Sequence, residues 1–333
     1  MRISRSNADP LAGQRLMVGF SSTTLDDELK YAIDTLRVGG LILFTCNIQS
    51  PNQIQDLVGA AQDYAARCGL PPLFVAIDQE GGVVARLKPP FTQFPGNPSM
   101  TTEADAIHFA CTTARELKQI GVNMDMAPVL DVAPPQGPSI MAKRVFGSDP
   151  AWVARMGQVV IRQLQSEGIM AVGKHFPGIG RTVLDSHLEL PDLDIDARRL
   201  ADRDLIPFQV AAQAEVSGIM LSHIRYLQID PRWPASLSVA VAHDLLRDSM
   251  GYQGLVLTDD LDMGAVAKHY TMADIVDRCL EASVDLLLIC HSGPNIAAAQ
   301  QAVARLIRQS EAMALRHAAS IERIQRAKAR YLG

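Results

Sequence analysis

Eight short apolar runs, each followed by a stretch with helical spacing, recur along the chain, and this alternation limits what it can fold into more than any other feature. The runs lie at residues 15–20, 40–44, 73–78, 122–129, 169–173, 217–222, 254–258 and 284–290. They are nearly continuous in Val, Ile, Leu and Met, the pattern of strands buried on both faces. Between them the period changes. Leu29, Ile33 and Leu36 share one helical face, and Ile107, Cys111, Ala114 and Leu117 share another. Ser50 before Pro51, and Asp149 before Pro150, read as helix N-caps followed by proline in the first turn, and Gly69 reads as a stop. Two helices close the chain, one carrying Ala302, Leu306 and Ile307, the other Ile321, Ile324 and Ala327.

Strand–helix repetition with right-handed crossovers leaves a closed parallel barrel or an open doubly wound sheet. An open sheet of that kind is expected to carry a glycine-rich phosphate turn after an early strand, and neither G-x-G-x-x-G nor a Walker A pattern occurs. Eight units in 333 residues favour a (β/α)8 TIM-like barrel. No linker or low-complexity stretch divides the sequence, so residues 1–333 are expected to form one barrel domain. The 48% of hydrophobic residues suffices for a large core, and a net charge of −5 without a basic stripe argues against nucleic acid as a partner. No run is long enough to span a bilayer, and the first ten residues lack the apolar segment of a signal peptide, so a cytoplasmic protein is expected. Cys46, Cys68, Cys111, Cys279 and Cys290 are widely spaced and mostly in apolar contexts, which reads as buried, reduced thiols. The oligomeric state is not legible.

In a barrel of this kind, ligand sites lie at the carboxyl ends of the strands. Here those ends are polar: Asp78-Gln79-Glu80 with Arg86 beyond; Asp131 and then Lys143-Arg144; Lys174-His175; Ser222-His223; Asp259-Asp260; Cys290-His291. Each alone is as readily a satisfied structural group. Together they point to an enzyme or a small-molecule site, and the mixture of Asp with Arg, Lys and His suits a hydroxyl-rich ligand. Strand alternation predicts that only one of Asp259 and Asp260 points into the barrel.

The densest stretch runs from Lys174 to His187, expected as a loop after the fifth strand; loops beyond ~12 residues in compact domains are usually functional or disordered. Asp185 stands two residues before His187, so an extended loop places both on one side. Asp185 can then fix the His187 tautomer and stabilise its protonated form, as a general acid/base requires. The competing chemistry is a metal site on His175, His223 and Asp259, but neither His-x-His after the first strand nor His-Glu-x-x-His occurs. No metal and no cofactor is expected.

Residues 174–178 through Asp185-Ser186-His187, together with residues 254–263, resemble glycoside hydrolase family 3, and within it the β-N-acetylglucosaminidase branch. Asp78-Gln79-Glu80-Gly81-Gly82, residues 127–131 and residues 143–147 fit the same pattern. The resemblance covers residues 14 to 310. It implies a TIM-like barrel and a retaining mechanism with Asp259 as nucleophile and His187 as acid/base, partnered by Asp185. It also implies that Asp78, Arg86, Arg144, Lys174 and His175 bind the sugar, and that the substrate is a GlcNAc-terminated glycan of the peptidoglycan (muropeptide) type. The chain departs from the pattern where the family has Phe-Pro-Gly-His-Gly: Ile179 replaces the histidine, and Arg181 follows. A β-glucosidase or phosphorylase of the same family, a metal-dependent amidohydrolase and a non-catalytic sugar-binding barrel are the alternatives.

Overall fold

The computed structural model describes residues 11–184, 186 and 189–333. Asp185 and His187 lie outside the described residues. Eight parallel strands close into a barrel in chain order: β1 (Leu16–Val18), β2 (Gly40–Leu43), β3 (Phe74–Ile77), β4 (Met124–Asp125), β5 (Met170–Phe176), β6 (Gly218–Leu221), β7 (Leu255–Asp260) and β8 (Leu286–Ile289). The ring is sealed by Leu16 beside Leu287 and Met17 beside Gly40. The barrel expected from the alternation is the barrel found, with each strand inside or overlapping its apolar run.

Three strands depart most from expectation in extent, the seventh by running on to Asp260. The fourth is short because Pro128 has no N–H for the ladder. Individual bonds carry the pairing onward instead, with Lys174 N donating to Pro128 O at 3.1 Å and Leu130 N to Lys174 O at 2.6 Å. The fifth runs on to Phe176, so Lys174 and His175 belong to the strand and not to the loop after it. Their side chains are buried at the top of the barrel, where carboxylates meet them, and a charged residue so matched does not end a strand.

Alternation along each strand divides the core. Met17, Ile42, Phe74, Met124, Met170, Val172, Met220, Leu257 and Leu288 fill the barrel, whereas Leu16, Leu41, Val75, Ala171, Ile219, Val256 and Leu287 face the helices. The methionines among the interior residues are flexible enough to fill an irregular cylinder. Ile321 and Ile324 of the last helix, Glu311–Leu332, belong to the interior cluster, so that helix plugs the amino-terminal end.

The anticipated caps form. Ser50 Oγ accepts from Gln53 N at the start of helix Pro51–Arg67, and Asp149 accepts from Ala151 N before helix Pro150–Ser166. The face assigned to helix Glu103–Gln119 is rotated. Ile107 is exposed and Cys111 half-buried, while Phe109 is buried edge-on against Phe94 with ring centres 5.1 Å apart. An aromatic ring buries more apolar area than an isoleucine, and Phe109 sets the face. The thiols are also less hidden than expected: all five are free, but Cys46 is exposed, Cys68 and Cys111 are half-buried, and only Cys279 and Cys290 are buried. No helix among the described residues is long and apolar enough to cross a membrane.

Candidate active site

A cavity of about 260 Å³ opens at the carboxyl ends of the strands. Asp78, Arg86, Arg144, Lys174, His175 and Asp259, all singled out in the sequence, line it together.

One wall is a chain of alternating charge. Arg86 Nη2 donates to Asp78 Oδ2 at 2.9 Å, and Lys174 Nζ donates to Asp78 Oδ1 at 2.7 Å. The same ammonium lies 2.7 Å from Glu80 Oε1. Arg144 holds Glu80 through both edges of its fork, Nη2 to Oε1 at 2.6 Å and Nε to Oε2 at 3.0 Å. Burial would push Asp78 and Glu80 upward, but Lys174 with Arg86 for the first, and Lys174 with Arg144 for the second, outweigh it and hold both carboxylates below their usual range. The Lys174 ammonium, pulled down by burial, is raised on balance by the same two carboxylates. Asp125, fully buried below them, is pushed well above the carboxylate range, first by burial and further by the charges on Asp78 and Glu80. It accepts from Gln79 N at 3.0 Å.

His175 is fixed from behind. Its Nδ1 lies 2.8 Å from Asp131 Oδ2, and the Ile179 amide donates to Asp131 Oδ1 at 2.7 Å. Asp131 is completely buried and so ties the end of β5 to the chain that turns away from it. With Nδ1–H given to Asp131, His175 Nε2 is left as the acceptor 3.5 Å from Arg144 Nη2.

The facing wall is the end of β7. Asp259 and Asp260 both line the cavity, contrary to simple alternation, because the pairing of β7 with β8 shifts register between Leu257 and Asp260. Asp259 Oδ1 accepts from the Asp260 amide at 2.8 Å. Asp260 Oδ1 accepts from Cys290 N at 2.9 Å and Asp262 N at 3.1 Å, tying β7 to the loop after β8. Burial raises Asp260 despite these bonds. Behind it, buried His223 lies 2.9 Å from the Asp260 carbonyl through Nε2 and 2.7 Å from Ser236 Oγ through Nδ1. A carbonyl only accepts, so Nε2 carries the proton and Nδ1 accepts from the serine. Burial lowers the His223 pKa. On the rim, Arg86 covers the Phe44 ring at 5.2 Å, and the His291 ring stacks with the same Phe44 at 6.5 Å between centres.

The set weighed for zinc is not assembled, since both His223 nitrogens are committed. Among the described residues, Asp260, Asp262 and His291 are a donor group beside the cavity, and His243, Asp244 and Asp248 are another on an exposed surface. Glu80, Asp131, Asp260 and His291 are cavity or supporting residues to which no role had been given. Glu80 was findable, standing two residues after Asp78 at a strand end.

The glycosyl hydrolase family 3 N-terminal domain model matches residues 11–327. The chain belongs to that family. A β-hexosaminidase of Nitrosomonas eutropha is 36% identical over 288 residues, covering 83% of this chain and 80% of the relative. A family 3 β-N-acetylglucosaminidase from Paenibacillus sp. FPU-7 superposes with a TM-score of 0.93 at 34% identity, covering 97% of this chain and 62% of that one. The β-N-acetylhexosaminidase of Beutenbergia cavernae superposes with a TM-score of 0.88 at 29% identity, over 97% of this chain and 100% of that one. This family 3 glycoside hydrolase thus spans less than two thirds of the Paenibacillus protein's length and the whole of the Beutenbergia one's.

Proposed function

We propose that the chain is a β-hexosaminidase, acting as a retaining exo-β-N-acetylglucosaminidase on terminal β-linked GlcNAc, with peptidoglycan fragments as its substrate class. The observation that carries this reading is Asp259 sharing one small cavity with Arg86, Asp78, Lys174, Arg144 and His175, Lys174 and Arg144 being joined through buried Glu80. Ionised Asp78 accepts hydrogen bonds from ring hydroxyls, and Arg86, Arg144 and Lys174 donate to them, fixing one sugar ring in place. Asp259 attacks the anomeric carbon from the opposite side, the bond to the leaving oxygen breaks, and a glycosyl ester forms. His187, with Asp185 as partner, protonates the leaving oxygen and then takes a proton from the water whose oxygen bonds to the anomeric carbon as the ester to Asp259 breaks; both lie outside the described residues, and their role rests on the resemblance. The names of the relatives and structural neighbours support the acetamido sugar.

The test compares aryl β-N-acetylglucosaminide with aryl β-glucoside, each with and without phosphate. Turnover of the acetamido substrate, unaffected by phosphate, is the expected result. Strong acceleration by phosphate would make the enzyme a phosphorylase, and preference for the glucoside would overturn the sugar assignment. Trapping with a slow fluorinated glycoside should label Asp259, as read by peptide mass spectrometry.

A further inference from the structure

At the opposite end of the barrel lies a second cavity, of about 520 Å³ against 260 Å³ for the candidate active site. It opens where β6 and β7 begin, beside Ser217 and Leu255, and is walled by the last helix. Spacing of three and four residues brings Arg323, Arg326 and Arg330 to one side of that helix, and all three line the cavity. Tyr252 and Tyr331 line it as well, and Glu215 is the one carboxylate among its described lining residues.

The charges do not balance. Glu215 lies 3.7 Å from Arg330, but it is an exposed and weakly held partner. Arg323 reaches back to Asp285 Oδ1 at 2.9 Å. The Arg326 side chain makes no hydrogen bond or ion pair with any described residue and is exposed. Behind the wall, Asp285 is fully buried, and its acceptors are occupied by Arg247, Arg323, Ser320 and the Val256 amide. Arg15 and Arg247 are buried beside it, and Arg15 Nη1 and Arg247 Nε find no acceptor. Arg15, Arg247 and Arg323 therefore stand against one carboxylate. A concave wall of low dielectric with such a surplus concentrates positive potential in the cavity.

We propose that this cavity binds a small phosphomonoester, its dianion held by Arg326 and Arg330 and its organic part lying between Tyr252 and Tyr331. The guanidinium fork matches phosphate oxygens in pairs, and two forks from one helix suit a doubly charged group better than a carboxylate. The volume leaves room for a sugar-sized body beyond the head group. The site is separate from Asp259 and does not depend on the activity proposed above.

Inorganic phosphate and a hexose 6-phosphate, titrated calorimetrically into the full chain at constant ionic strength with chloride as reference anion, test this. Saturable binding of both is expected, tighter for the hexose phosphate, and at least about tenfold weaker in Arg326→Glu. Arg326 is exposed, so that variant folds, which unchanged glycoside turnover would verify. Heats that chloride reproduces, or equal affinity in Arg326→Glu, would overturn the site. No gain from the sugar body would overturn the assigned ligand class.

Discussion

The two ends of the barrel bury clusters of the same kind and use them differently. At the carboxyl end, Arg86, Asp78, Lys174, Glu80 and Arg144 alternate in sign along a cavity wall, and Arg86 and Arg144 keep side-chain exposures of 30% and 20%. At the amino end, Asp285 collects Arg247, Arg323, Ser320 and a strand amide, and Arg15 adds bonds to the Val284 and Asp285 carbonyls. Burial pulls even the Arg15 guanidinium down to about 10. Both clusters hold more cations than anions. What separates them is access: the upper one still has faces open to a ligand, while the carboxylate of the lower one is consumed in fastening the last helix to β7 and β8. A buried ion cluster is therefore no sign of catalysis until the saturation of its acceptors is examined.

The strongest test of the contrast is at the upper end. Asp259→Asn should lower kcat on the order of 10⁴-fold or more with an unchanged melting temperature, as expected for a group needed only in the reaction. A large loss of stability in that variant would mean that Asp259 is structural.

Next comes a matched pair. Lys174→Met leaves Asp78 and Glu80 facing each other without their shared cation, and Asp285→Asn leaves three arginines without their carboxylate. Each should cost about 3–5 kcal/mol in denaturant unfolding. They should part in kinetics: Lys174→Met also loses turnover, whereas Asp285→Asn, assayed well below its melting point, keeps kcat and KM. If Asp285→Asn reduced kcat as deeply, the two ends would be coupled and the contrast would fail.

The smallest effect concerns Lys328, buried at the lower end. Its Nζ donates to Gln14 Oε1 at 3.0 Å and lies 5.0 Å from the centre of the Phe74 ring, partners that carry no counter-charge. Burial lowers its pKa to about 7. The ordinary value in an unfolded chain is about 10.4. Between the two the unfolded chain binds more protons, so this residue makes stability rise as pH climbs from 7 towards 10, and its penalty is complete below 7. Lys328→Met should raise the melting temperature at pH 6 and flatten that alkaline rise. An unchanged slope would show that Lys328 keeps its charge in the folded protein.

Much of the site was legible because a parallel barrel leaves little choice. Once eight apolar runs are recognised, the residue after each is at the active end, and Asp78, Lys174, His175 and Asp259 follow. Arg86 and Arg144 lie farther along the loops beyond those ends, and their role at the sugar came from the resemblance. The errors share one cause. Alternation treated β7 as regular and excluded one of the two aspartates, yet the register shift brings both into the cavity. Ending β5 at Gly173 assumed that charge ends a strand, yet Asp78, Glu80 and Asp131 arrive from distant segments to neutralise it. Helical period gave a face for residues 103–119 but not its rotation, which contact with Phe94 decides.

The sequence by itself determined the barrel, its strand order and its polar end, because hydrophobic period and chain connectivity are local properties that survive without knowledge of neighbours. Only the tertiary structure decided which charges meet. It made Glu80 the bridge between Lys174 and Arg144, gave His175 its tautomer through Asp131, and left Arg326 unpartnered beside a saturated Asp285. Ion pairs and hydrogen bonds depend on distances of a few ångströms between residues far apart in the chain, and no pattern along the sequence fixes those distances.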